Sequence, residues 1–166
     1  MLALNLDVGD APLTEWDAAR LQSVVEATLV LASASDEVQL SITLTDDAVI
    51  QRLNRQFRGV DAPTDVLSFG SGPVAGFVQP EVNTELGDIV ISYPTALRQA
   101  DAMGHPVIEE LALLVTHGTL HLLGYDHADQ DEQRTMWTLQ DQVLFQLGLR
   151  LKSYVPEEPS EEESLG

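Results

Sequence analysis

Three of the chain's four histidines lie within eleven residues, at the end of its most apolar segment. In the string HGTLHLLGYDH, His117 and His121 are four residues apart, so in a helix their imidazoles project from the same face. Gly124 can take the left-handed conformation that ends a helix, which lets the chain turn and brings His127 back toward the other two. The spacing therefore predicts a buried central helix that carries a cluster of three nitrogen ligands.

The chain has no cysteine, which excludes thiolate zinc sites, iron–sulfur clusters, disulfides and cysteine nucleophiles. Any metal ion must then be held by His, Asp or Glu. Three neutral histidines with one open position form the ligand set of a catalytic zinc ion, whereas structural zinc is closed by four protein ligands. The alternative is that the histidines are core residues, which is costly for two on one buried helix face. His105 stands apart, before Pro106, and we expect it at a helix cap or on the surface.

The spacing of the three histidines is also that of the metzincin peptidases, in which a glutamate follows the first histidine as general base. Here that position is Gly118, so the group that activates water is missing and peptidase activity is disfavoured. Two nearby acids leave alternatives open. Asp126 is either a substitute base or partner of a ligand, or a turn residue that accepts from backbone N–H groups. Glu110 is expected to favour the helix N-terminus rather than to act at the site.

Hydrophobic periodicity predicts an α+β fold. Alternation with a period of two predicts strands at residues 2–8 and 38–44, and shorter strands are predicted at 66–69 and 88–92. Apolar stripes with helical spacing predict a helix after Thr14 and further helices at 46–57, 94–103, 106–123 and 129–147. We therefore expect a small four-stranded mixed sheet packed with about five helices, the histidine-bearing helix being buried in the centre.

Two segments fall outside this pattern. Residues 70–85 contain Gly and Pro and are too long for a tight hairpin, so we expect a loop that could serve as a lid. Residues 156–166 carry five acids and too little apolar content to order themselves. The predicted organisation is one domain over residues 1–155, followed by an acidic, disordered tail.

Eight basic and 27 acidic residues give the chain a formal net charge of −19. Such a protein repels polyanions at long range, which argues against nucleic acid as a partner, and a solvated acidic surface is the ordinary explanation. No apolar run approaches the roughly 20 residues of a membrane-spanning helix, and the N-terminal segment lacks the features of a secretory signal. We expect a cytoplasmic protein without membrane contact.

The string HGTLHLLGYDH nevertheless resembles the signature of the YbeY family, bacterial metal-dependent endoribonucleases also called rRNA maturation factors, written H-G-x-L-H-L-x-G-Y-D-H. Two further blocks resemble that family in the same order. They are Leu53-Asn54 with Arg58 and PTDVLSF at residues 63–69, and LGDIVIS at residues 86–92. The resemblance covers residues 53–127. The chain departs from the family pattern at Gln140, where a glutamate is expected, and in its acidic tail.

This resemblance implies one zinc ion per chain, held by His117, His121 and His127, with His117 and Arg58 as catalytic residues. It implies a single-strand-specific endoribonuclease that hydrolyses phosphodiester bonds in the maturation of ribosomal RNA, at the 3′ end of 16S RNA, and in ribosome quality control. The implied partners are ribosomal RNA and the ribosome or a ribosomal protein. Arg58 would grip nonbridging phosphate oxygens, unless an acid such as Asp61 pairs with it. The alternatives are a non-catalytic, zinc-containing ribosome assembly factor and, less favoured, a metallopeptidase.

Overall fold

A four-stranded sheet forms the centre of the fold, in a computed structural model that describes residues 1–70 and 85–149. The strands are β1 (Ala3–Asp7), β2 (Gln39–Thr45), β3 (Val66–Gly70) and β4 (Glu85–Ser92), in the spatial order β1-β2-β4-β3. β1 and β4 both pair with β2 in parallel, while β3 pairs with β4 in antiparallel orientation. The sheet is therefore mixed, as predicted, and β1 and β3 are its edge strands.

Five helices occur in the described ranges, which confirms the predicted α+β architecture. They are α1 (Glu15–Leu31), α2 (Asp47–Arg58), α3 (Tyr93–Met103), α4 (Val107–Leu122) and α5 (Gln130–Gln146). Side-chain caps begin four of them, because each cap oxygen accepts from a backbone N–H group that has no partner inside the helix. The capping residues are Thr14, Asp46, Ser92 and Asp129. None of the helices in the described part of the chain is both long and apolar enough to cross a membrane.

Helix α4 lies in the core, between α1 and one face of the sheet. Eleven of its residues, from Glu110 to Leu120, are buried. Leu111, Leu114 and Val115 belong to the same apolar cluster as Ile42 of β2 and Ile89 of β4. Burial of this apolar surface is the main stabilising term of the fold, and it fixes the position of the helix that carries two of the histidines.

Helix α2 covers the opposite face of the sheet at the edge strand β3. The Oγ atom of Ser68 lies 3.4 Å from the carbonyl oxygen of Gly118, so Ser68 points toward α4. Side chains alternate along a strand, and the next residue, Phe69, instead meets the ring of Phe57 on α2, with centroids 5.2 Å apart. The C-terminal ends of α2 and α4 thus lie on either side of β3.

The structure extends β4 three residues beyond the predicted start at residue 88. The extra residues are held by backbone pairing, since Gly87 pairs with Leu40 of β2 and with Gly70 of β3. A Cβ atom at Gly87 would overlap the carbonyl oxygen of Phe69, so only glycine permits this approach of β3. The predicted loop at 70–85 and tail at 156–166 lie almost wholly outside the described residues.

Candidate metal centre

The three histidines of the cluster meet at the C-terminal end of α4. The last turn closes with the N–H groups of Gly124 and Tyr125 donating to the carbonyls of His121 and Leu120, and Gly124 has a φ of +104°. This left-handed residue reverses the chain as the sequence predicts. The ligand atoms of His117, His121 and His127 all lie within 4.8 Å of one another, close enough for one ion to contact all three.

Burial favours the neutral form of two histidines of this cluster, His117 and His121. Desolvation lowers the pKa of His117 well below its usual range, and the charges of His121 and His127 lower it further. Desolvation also lowers the pKa of His121, with a further contribution from His127. Only a neutral imidazole has a lone pair to give to a metal ion, so the site favours the ligand form of these rings at neutral pH.

Gln140 on α5 orients the most buried histidine of the cluster. Its Oε1 atom lies 3.1 Å from Nδ1 of His117, and both side chains are buried. The amide oxygen can only accept, so the Nδ1 atom carries the proton and Nε2 keeps its lone pair for the site. Sequence analysis did not assign this role to Gln140. The signal available was a polar residue on the apolar face of α5, which also carries Met136, Val143 and Leu144.

Trp137, one turn before Gln140, forms a wall of the site that sequence reasoning also missed. Its ring centroid lies 5.8 Å from that of His117 and 5.6 Å from that of His127. A large apolar ring here limits water around two of the three histidines and restricts how their rings can turn.

Gly118 cannot be replaced by the general base of a peptidase. It faces the sheet rather than the histidines, and a Cβ atom there would lie 3.0 Å from Cδ1 of Ile89 and 3.1 Å from Oγ of Ser68. A glutamate side chain has no room at this position. The geometry thus adds a steric argument to the absence of the carboxylate, and both count against the peptidase alternative.

Arg58 is the last residue of α2 and is exposed. It forms no ion pair within residues 1–70 and 85–149. Asp61, considered above as its partner, instead accepts a hydrogen bond of 3.0 Å from Nε2 of Gln51. The positive charge of Arg58 contributes to the lowered pKa of His121, behind burial and His127, so its field reaches the histidine cluster.

The acids near the cluster have structural partners. Asp126 accepts from the backbone N–H of His127 at 2.8 Å, which is its turn role, and its charge partly offsets the lowering of the His121 pKa. Glu110 is buried in the first turn of α4, and its Oε1 atom lies 2.8 Å from Nε2 of His105. The expectation that His105 is an isolated cap or surface residue is therefore wrong. It is largely buried because it partners a carboxylate that burial would otherwise leave unsatisfied.

Comparison with known proteins gives concordant matches over most of the chain. The model of the family described as Endoribonuclease YbeY matches residues 10–148. The Endoribonuclease YbeY of Moorella thermoacetica is 44% identical over 152 residues, covering 89% of this chain and 97% of its own length. That of Gloeobacter violaceus is 49% identical over 138 residues, covering 81% of this chain and 69% of its own length. The solution structure of a Thermotoga maritima protein matches with a TM-score of 0.53 at 26% identity, over 88% of this chain and 91% of that one.

Proposed function

This chain belongs to the endoribonuclease YbeY family, and from that premise we propose that it is a metal-dependent endoribonuclease that cleaves single-stranded regions of ribosomal RNA during maturation and ribosome quality control. The observation that carries the proposal is the convergence of His117, His121 and His127, whose ligand atoms lie within 4.8 Å of one another beside the buried amide of Gln140. No fourth His, Cys, Asp or Glu joins that group among the described residues. An ion held by these three side chains would keep a coordination position for substrate.

The donor set fits a zinc ion. Three neutral imidazoles, one of them fixed by a hydrogen bond to its second nitrogen, are typical ligands of catalytic zinc. When bound, such an ion supplies a divalent positive charge that attracts a phosphodiester and lowers the pKa of bound water. The protein's part would be to favour the neutral form of His117 and His121 by burial.

Arg58 is the residue we assign to the phosphate. It is exposed and has no acidic partner among the residues described. Its positive charge contributes to the lowered pKa of His121. A guanidinium group can donate two hydrogen bonds to nonbridging oxygens and stabilise the charge that develops on them during cleavage. This role requires Arg58 to remain free of carboxylates in the unbound protein.

The test combines metal analysis with cleavage of a labelled single-stranded RNA oligonucleotide. We expect about one equivalent of zinc in the purified protein. We expect the metal to be lost with His121→Ala, and cleavage to fall about 100-fold or more in Arg58→Ala with the metal retained. Arg20→Ala is the matched control. It removes the same charge from α1. Arg20 lines a cavity together with Ile108 and Ala112, which lie toward the N-terminal end of α4, away from His121.

The two alternatives give different results in the same experiment. A non-catalytic assembly factor would bind zinc, and its trace of cleavage would be the same in the wild type, His117→Ala and Arg58→Ala proteins. A metallopeptidase would digest an unfolded protein substrate when loaded with metal. Either result contradicts the proposal.

A further inference from the structure

The C-terminal half of α2 has a charge opposite to that of the chain as a whole. Arg52, Arg55 and Arg58 are three of the chain's eight basic residues and fall within seven positions, in a protein with a net charge of −19. All three are exposed. We call this set the arginine row. At three-residue spacing its members follow one another along the helix over about 9 Å.

No acid neutralises the arginine row within the described ranges. Among the other described arginines, Arg98 pairs with Asp47 and Arg134 with Asp131, each at 3.0 Å, whereas the single Arg20 on α1 has no ion pair. The acid of α2 itself, Asp47, lies at the N-terminal end of the helix. Its carboxylate accepts hydrogen bonds there from Ser92, Thr95 and Arg98. With acids so abundant, a row of unpaired cations calls for an anionic partner outside the chain.

An exposed aromatic residue, Phe57, falls between Arg55 and Arg58 in the sequence of α2. Hydrophobic periodicity places Phe57 on the buried side of α2, yet 58% of it is exposed. Its ring makes an edge-to-face contact with Phe69, at 5.2 Å between centroids, and it directly precedes Arg58 in the sequence. A fixed, exposed ring beside cations suits a nucleobase, which needs a flat apolar surface while its phosphate needs positive charge.

The row leads to the metal centre. Phe57, which precedes its last member Arg58, contacts Phe69 of β3, and the neighbouring Ser68 contacts α4 at Gly118, the residue after His117. Resting on the endoribonuclease function proposed above, we propose that single-stranded RNA is held along α2, with Arg52 and Arg55 on successive phosphates and Phe57 stacked on a base. Unpaired strand is required, because the base must leave its partner to reach Phe57.

The two kinds of contact have separate signatures in a binding experiment. We would measure the affinity of the metal-loaded protein for a fluorescent, single-stranded 2′-O-methyl oligonucleotide, whose blocked 2′ oxygen cannot act as a nucleophile. Loss of two phosphate contacts in Arg52→Ala/Arg55→Ala should lower affinity about 25-fold at roughly 0.1 M salt, and the slope of log K against log salt by about 1.4. Phe57→Leu should lower affinity about 5- to 150-fold with an unchanged salt slope.

Matched controls exist on α1, where Arg20 and the exposed Trp16 are four residues apart. Arg20→Ala and Trp16→Leu should leave affinity and salt slope as in the wild type. Wild-type affinity in both α2 variants would overturn the proposal. So would loss of self-association in Arg52→Ala/Arg55→Ala without loss of RNA affinity, because the row would then bind acids of a second copy.

Failure of this proposal is distinguishable from failure of the proposed function. If the wild type cleaves RNA and His117→Ala does not, but the α2 variants bind and cleave as the wild type does, only the arginine row is wrong. If the wild type does not cleave RNA at all, the proposed function is wrong, whatever the α2 variants bind.

Discussion

The Nδ1 atom of His117 and the Oε1 atom of Gln140 lie 3.1 Å apart, on helices α4 and α5, and both side chains are buried. In the proposed metal centre this contact would make Gln140 a positioning residue, because it fixes which nitrogen of His117 faces His121 and His127. The other amide atom, Nε2 of Gln140, is buried without a hydrogen-bond partner among the described residues. The protein therefore leaves a polar group unsatisfied while keeping the acceptor in place, which is unusual for a side chain with only a packing role.

Replacing Gln140 tests this assignment. Gln140→Met keeps the length of the side chain but removes the acceptor, so the zinc affinity should fall about 10- to 100-fold. Gln140→Glu should bind zinc at least as tightly as the wild type, because a carboxylate accepts more strongly and leaves no amide donor unsatisfied. Competition with a chromophoric chelator measures the affinities, and ring nitrogen shifts in NMR spectra report the tautomer of His117.

Gln142, exposed on the same helix, supplies the control for these substitutions. Gln142→Met should have the zinc affinity and the His117 tautomer of the wild type. Equal zinc affinities in Gln140→Met, Gln140→Glu and the wild type would show that the contact between α4 and α5 has no part in metal binding.

The stability of the metal-free protein should fall as the pH falls from about 7 to about 5. Burial holds the pKa of His117 well below its usual value of 6.5, and that of His121 is lowered in the same way. Below about pH 6.5 these two histidines are therefore protonated in the unfolded chain but remain neutral in the native state. This difference in proton binding favours unfolding. Above that pH these histidines are neutral in both states, so they no longer make the free energy of unfolding depend on pH.

Urea unfolding in the presence of a chelator measures this dependence. His117→Asn removes the titrating group whose pKa is most lowered, so its free energy of unfolding should change less between pH 5 and 7. Parallel pH dependences in the wild type and this variant would mean that His117 is as easily protonated in the native state as in the unfolded chain.

Sequence patterns predicted most of this fold because the informative signals are local. Strand alternation in β2, the cap at Thr14 and the glycines that end helices all act within a few residues. The cluster of His117, His121 and His127 belongs to the same class, because one helical turn and one reversal bring the residues together. By contrast, Gln140 and Trp137 reach the site only through the packing of α5 on α4, which no local pattern encodes. The start of β4 was missed for the same reason, since Gly87 is held by two neighbouring strands.

The contact between His105 and Glu110, which lie five residues apart, should make a measurable contribution to stability. Glu110 is 4% exposed, and burial raises the pKa of its carboxyl even though His105 opposes that shift. His105→Ala should destabilise the protein by about 1–3 kcal/mol, because it leaves a buried carboxyl without its partner. His105→Ala/Glu110→Leu should recover part of that loss, because it removes the unsatisfied group. Denaturant unfolding of the two variants provides the comparison, and a double variant less stable than His105→Ala would contradict this account.

Gly118 lies between two histidines of the cluster, yet it is required by the sheet rather than by the metal centre. An added Cβ atom would lie 3.0–3.1 Å from Ile89 and Ser68, both on strands that α4 covers. Alanine stabilises a helix by about 1 kcal/mol over glycine, but overpacking costs about 1–3 kcal/mol, so Gly118→Ala should be neutral or mildly destabilising. Gly118→Glu would place a charge against this apolar face and should destabilise by more than about 3 kcal/mol. Denaturant unfolding ranks the variants, and a protease assay on metal-loaded Gly118→Glu should detect no peptide cleavage. A folded Gly118→Glu protein with stability near that of the wild type would show that this residue does not pack against β3 and β4.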